Sequence, residues 1–117
     1  MTSVSEPFLL GNSIRREKAG EGMVRQILGH DESILMARVE FDKGAVGEVH
    51  AHSHAQVAYV VSGKFEVFID GVKKHLGPGD GFYIHPNVDH GAVCLEPGVL
   101  IDVFSPVRED FLSEYEK

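Results

Sequence analysis

His50, His52, His54 and Gln56 alternate with Ala51, Ser53 and Ala55. In an extended strand alternate side chains leave from one face. The spacing therefore predicts three imidazoles and one amide side by side. Neutral imidazole is the commonest metal ligand in proteins, and two of them at i and i+2 on a rigid strand reach one ion together. Such a pair needs further ligands from elsewhere in the chain. A second cluster, His85, Asn87 and His90, follows the turn Gly77-Pro78-Gly79-Asp80 and a short apolar run. His90 opens another apolar segment, a position from which it can complete the set. A lone His-x-His reads as the polar side of a solvated strand; the second cluster turns the reading toward a metal centre.

Further chemistry sits near the C-terminus. In Ile101-Asp102-Val103-Phe104 the alternation puts Asp102 and Phe104 on one face and Ile101 and Val103 on the other. One set must face a cavity or solvent. Arg108 carries a planar fork that suits a carboxylate, and it reads equally as a helix-surface cation near Glu109 or one half of an inter-subunit pair. The single cysteine, Cys94, reads as a small buried apolar residue. It cannot form an internal disulfide, which fits a reducing compartment.

The elements that would position these groups are strands. Apolar, β-rich runs cover 23–28, 34–41, 57–61, 65–69, 82–84, 92–95 and 99–104, and turn residues separate them. That spacing predicts a sandwich or barrel with short connections. Asp70-Gly71 between apolar flanks predicts a two-residue hairpin. Only the tail reads as a helix, with Ser105 as its cap, Pro106 as its first residue, and Val107, Phe111 and Tyr115 as its apolar stripe.

Composition narrows the classes. A chain of 117 residues with 43% hydrophobic and 25% charged residues is expected to form one domain with one core. No apolar run approaches the ~18 residues of a membrane helix. The polar start, Met1 to Glu6, carries no secretory signal, so a cytoplasmic protein is expected. A net charge of -7 argues against nucleic acid or an anionic membrane as partner. A small anionic ligand would need a local Arg or Lys.

These residues resemble the cupin family. Gly44, His50-Ala51-His52, Gln56 and Gly63 follow the first cupin motif in every spacing, with Gln56 where Glu is usual. Gly79, His85, Asn87, His90 and Cys94 follow the spacing of the second, with His85 for Pro, Asn87 for Gly and Cys94 for Asn. The resemblance implies an all-β fold: a small single-domain jelly roll (double-stranded β-helix) over 1–117, with its motifs at 44–63 and 79–94 and a short C-terminal helix. It implies one divalent transition metal (Ni, Zn, Fe, Cu or Mn) on His50, His52, Gln56 and His90. An amide in place of the carboxylate leaves that site one charge more positive and favours an anionic ligand. His54 falls outside the ligand register, either behind a ligand or on the surface near the mouth. His85 is placed at the cavity rim or away from it.

The runs 50–60 and 101–111 look like the KdgF-type cupins of pectin degradation. Such proteins open the ring of 4,5-unsaturated monouronates from pectin or alginate to linear keto sugars, an isomerase-like reaction. The resemblance maps Asp102, Phe104 and Arg108 onto the active site. Asp102 would move a proton, Arg108 would hold the substrate carboxylate, and Phe104 and Tyr59 would wall the pocket. A small acidic sugar and a second copy of the chain are the partners expected. A cupin dioxygenase or lyase, or a non-catalytic sugar-binding cupin, are the rival readings.

Overall fold

Alternating apolar and polar side chains build each strand that carries the site. The computed structural model describes residues 4–115. The strands are β1 (Glu17–Gly20), β2 (Met23–Asp31), β3 (Ile34–Phe41), β4 (Val46–His50), β5 (Ala55–Ile69), β6 (Val72–Leu76), β7 (Gly81–Ile84) and β8 (His90–Ser105), followed by helix α1 (Glu109–Tyr115). All pairings are antiparallel.

β5 and β8 are long enough to serve two layers. Their 55–60 and 98–105 portions join β3, β2 and β1 on one side and β7 on the other. Their 65–69 and 90–94 portions join β4 and β6. The register between them slips around Val60, Ser62 and Lys64, where the pair passes from one layer to the other. This is a jelly roll, as expected. Leu35, Ala37, Val39 and Phe41 of β3, Ala58, Val60, Phe65 and Val67 of β5, and Leu100 and Phe104 of β8 fill the space between the layers. Leu35, Val60 and Phe65 are wholly excluded from solvent, each contributing about 1.5–3 kcal/mol of transfer energy. Asp70 and Gly71 both take positive φ, 47° and 85°, and close the β5–β6 hairpin as expected. Asn87 stands at φ 66°, the left-handed conformation of the glycine it replaces in the cupin pattern.

Three expectations fail. Ser62-Gly63 and Glu96-Pro97-Gly98 do not separate strands: β5 and β8 run through them, because the two segments pair with each other across the change of layer. The 50–56 segment is not one strand: β4 ends at His50, the chain turns through 51–54, and β5 begins at Ala55. The helix does not start at Pro106. Ser105 belongs to β8, its hydroxyl donates to the Ser33 carbonyl at 2.9 Å, and α1 begins at Glu109. Val107 is buried as part of the intended stripe, with Leu112 and the half-buried Phe111 beside it. The side chain of Tyr115 lies outside the described residues. Among the described residues, no helix is long and apolar enough to cross a membrane.

Candidate metal centre

Three imidazoles converge although they do not share a strand. His50, the last residue of β4, is the cross-strand partner of His90, the first residue of β8, and their ring centroids lie 4.4 Å apart. His52, from the turn after β4, brings its ring 4.6 Å from that of His90. One ligating atom from each of the three falls within 4.8 Å of the others.

The hydrogen bonds fix which nitrogen each ring offers. His50 Nδ1 lies 2.7 Å from the Glu48 carbonyl, His52 Nδ1 3.0 Å from that of His54, and His90 Nδ1 2.9 Å from that of Val88. A carbonyl only accepts, so each Nδ1 carries the proton and donates it. Every Nε2 is left with a bare lone pair. That of His90 is buried and has no partner. Burial holds both His52 and His90 below the ordinary histidine pKa, so they stay neutral. This is the tautomer and the charge state of a metal ligand.

Gln56 completes the pattern from β5. Its Nε2 donates to Asp102 Oδ1 at 3.0 Å, so its Oε1 faces His52 Nε2 at 3.1 Å. With the His52 proton on Nδ1, both facing atoms are acceptors. Two lone pairs at that separation repel unless a cation lies between them. The orphaned His90 nitrogen and this acceptor pair fit a bound metal ion, and three imidazoles with an amide oxygen suit a borderline transition metal.

A cavity of about 630 Å³ opens beside these residues and is also lined by Asp102, Phe104 and Arg108. Asp102 stands diagonally across the β5–β8 ladder from Gln56 and is 9% exposed. Burial pushes its carboxyl up to about 6, against the Gln56 hydrogen bond and the charges of Arg108 and Arg25, which pull it down. Arg108 leans over Phe104 and Phe111, its central carbon 4.9 and 4.0 Å from their centroids. Its Nε and Nη2 donate to Asp110 Oδ1 and Oδ2 at 3.0 and 2.7 Å. Asp110 thus occupies one edge of the fork, and its own carboxyl is held below the usual range by that contact.

The family profile described as the cupin domain matches residues 37–104. The chain belongs to the cupin family. Over 98 residues it is 48% identical to the pectin degradation protein KdgF of Dickeya dadantii (strain 3937), covering 82% of this chain and 89% of that one. Among solved structures it matches an RmlC-like cupin from Shewanella frigidimarina NCIMB 400 at 53% identity and a TM-score of 0.91, over 92% of this chain and 97% of that one. KdgF from Halomonas sp. matches at 40% identity and a TM-score of 0.87, over 92% and 99% of the two chains. This cupin is therefore of the KdgF type.

In this cupin, His50, His52, Gln56 and His90 come together, and Asp102, Phe104 and Arg108 line the same cavity. Tyr59 does not. Gln56, Ala58 and Val60 point inward, so the two-residue period of β5 turns Tyr59 to the outer face, where it is 52% exposed. His54 donates from Nε2 to the Val107 carbonyl at 3.2 Å and so braces the segment that carries Arg108. His85 is exposed beside the Pro86 carbonyl. The sequence reading missed Arg25, which is buried in the cavity wall. A charged residue on the inward parity of the apolar run 23–28 was the available signal.

Proposed function

We propose that this cupin is a metal-dependent enzyme of pectin or alginate breakdown that opens the ring of 4,5-unsaturated monouronates. The observation that carries the reading is Asp102: a carboxyl buried inside the cavity, hydrogen-bonded to an amide at the metal centre and pushed above the usual carboxylate range by that burial. Such a group can both take and give a proton near neutral pH, an effect typically worth about 10²–10⁴-fold. The likeness to two KdgF proteins, one of them named for pectin degradation, supports a substrate derived from pectin.

His50, His52, Gln56 and His90 would hold the metal ion, which when bound polarises substrate oxygens as a Lewis acid. Asp102 takes the proton of the ring hydroxyl as the adjacent ring C–O bond breaks. It returns that proton to the enol carbon, giving a ketone and an aldehyde. No atom is gained or lost, so no oxidant is consumed. Arg108 fixes the carboxylate, and Phe104 excludes water from the reacting end. The test follows the ultraviolet absorbance of unsaturated galacturonate under anaerobic conditions. Absorbance should fall with the protein and persist when a chelator is added. Persistent absorbance with the metal-loaded protein, or an oxygen requirement, overturns the reading.

The same reading includes a homodimer. Ile34, Met36, Val57, Tyr59, Val61 and Tyr83 are exposed on the outer side of one layer, where neighbouring strands bring them together. The charges on the outward parity of β3, Arg38 and Glu40, pair with each other at 2.7 Å, so in a chain of net charge -7 a second copy meets this apolar face without strong like-charge opposition. Tyr59→Lys should halve the sedimenting mass; a wild-type monomer overturns the dimer alone.

A further inference from the structure

Arg25 lies in β2 with its side chain 7% exposed, and neither the cupin motifs nor the mechanism above uses it. Glu17 on β1 stands directly opposite. Its Oε1 is 2.8 Å from Arg25 Nε and 2.7 Å from Nη2. Glu114 Oε2 of α1 is 3.5 Å from the same Nη2, which makes no hydrogen bond of good geometry. The pair with Glu17 ties β1 to β2. That task leaves unexplained where the flat of the guanidinium rests.

It rests on Phe111. The central carbon of Arg25 is 3.8 Å from the Phe111 centroid, and that of Arg108 is 4.0 Å from the same centroid. Two guanidiniums cannot share one ring face at that height without overlapping, so Phe111 is held between them. Each gains a cation–π attraction, stronger where water is excluded. The Phe111 ring meets Phe104 edge-on at 5.4 Å and 89°, so Arg108 sits in the corner of two perpendicular rings. A rotation of Phe111 would open that corner.

We infer that Arg25 is a positioning residue for Arg108. Glu17 fixes the Arg25 guanidinium, Arg25 fixes the Phe111 ring, and Phe111 fixes the guanidinium that receives the substrate carboxylate. The edge hairpin β1–β2 thereby helps to build the binding site. The inference rests on the reading of Arg108 given under the proposed function.

Steady-state kinetics on unsaturated galacturonate test it. Phe111→Leu should raise KM about tenfold and leave kcat within about threefold, because carboxylate binding is lost while no charge beside the proton carrier changes. Arg25→Met should raise KM alike and also move the kcat profile to higher pH, because a charge that holds the Asp102 carboxyl down is removed. In an Arg108→Met background neither change should raise KM further. Arg25→Lys, which keeps the charge and the fold, should give a smaller rise of the same kind. Unchanged KM in the single variants, a loss confined to kcat, or full additivity with Arg108→Met overturns the inference. A wild type without turnover overturns the ring-opening reading instead, and the Nε–H resonance of Arg108 then decides on Arg25. It should shift and exchange faster with solvent in Arg25→Lys and Phe111→Leu; an unmoved signal overturns the positioning role.

Discussion

In the proposed reaction Asp102 carries the proton, and its burial has a price in stability. The carboxyl titrates near 6 in the fold against 3.8 for the free side chain. Between those values the native state keeps a proton that the unfolded chain has lost, so stability of the metal-free protein falls as pH rises through this window and levels off above it. At about 1.4 kcal/mol per pKa unit the loss is on the order of 3 kcal/mol. Asp102→Asn keeps an acceptor for Gln56 Nε2 and removes the charge. Chelated Asp102→Asn should show a flatter melting-temperature profile over that pH range than chelated wild type. The loaded variant should hold its metal and lose turnover by at least ~10²-fold. An unaltered rate removes Asp102 from the mechanism. At this scale spacing alone brought the two histidine clusters toward one centre, whereas the set His50, His52, Gln56 and His90 and the cavity place of Asp102 came with the cupin resemblance, because alternation leaves Asp102 facing either a cavity or solvent. Arg25 was missed, because its role runs through Phe111, far along the chain and close only after folding. Tyr59 was misplaced although the period that turns Gln56 inward turns Tyr59 outward.

Among the elements, β4 and β8 bring two of the imidazoles together, and Gly91 sets their separation. A Cβ on Gly91 would lie 2.8 Å from the Gly47 carbonyl and 3.2 Å from Val49 Cα. Gly91→Ala must push β4 away from β8 and His50 away from His90. Metal affinity should fall about ten- to a hundredfold, the usual cost of disturbing what supports a ligand. Gly77→Ala, which meets no atom within 4 Å, is the control and should bind normally; equal affinities in both would dissociate the strand spacing from the site. The alternation His-Ala-His-Ser-His-Ala-Gln looks the same whether the chain runs straight or turns. The pairing of His50 with His90 ends β4, and that partner lies well outside any local window. Ser105-Pro106 carried a good helix-start signal and lost to the β8 ladder and the Ser105 bond to Ser33. The Asp70-Gly71 hairpin was legible because its turn chemistry is local.

Over the whole molecule a metal ion held by His50, His52, Gln56 and His90 would tie β4, the turn after it, β5 and β8 into one assembly. An ion that binds only the folded chain stabilises it by about 2.7 kcal/mol when free metal is a hundred times its Kd, or roughly 10 °C for a domain of this size. Chelation should lower the melting temperature by that order and re-addition should restore it; identical melts with and without chelator would sink the metal reading. The long strand β8 adds one more consequence. It presents His90 at its start and Asp102 and Phe104 near its end, with the change of layer between them. Losing a single residue at that crossing would leave His90 in step with His50 but flip the later side chains, sending Asp102 outward and Ile101 in. An ion-holding yet chemically silent descendant is thus one codon away.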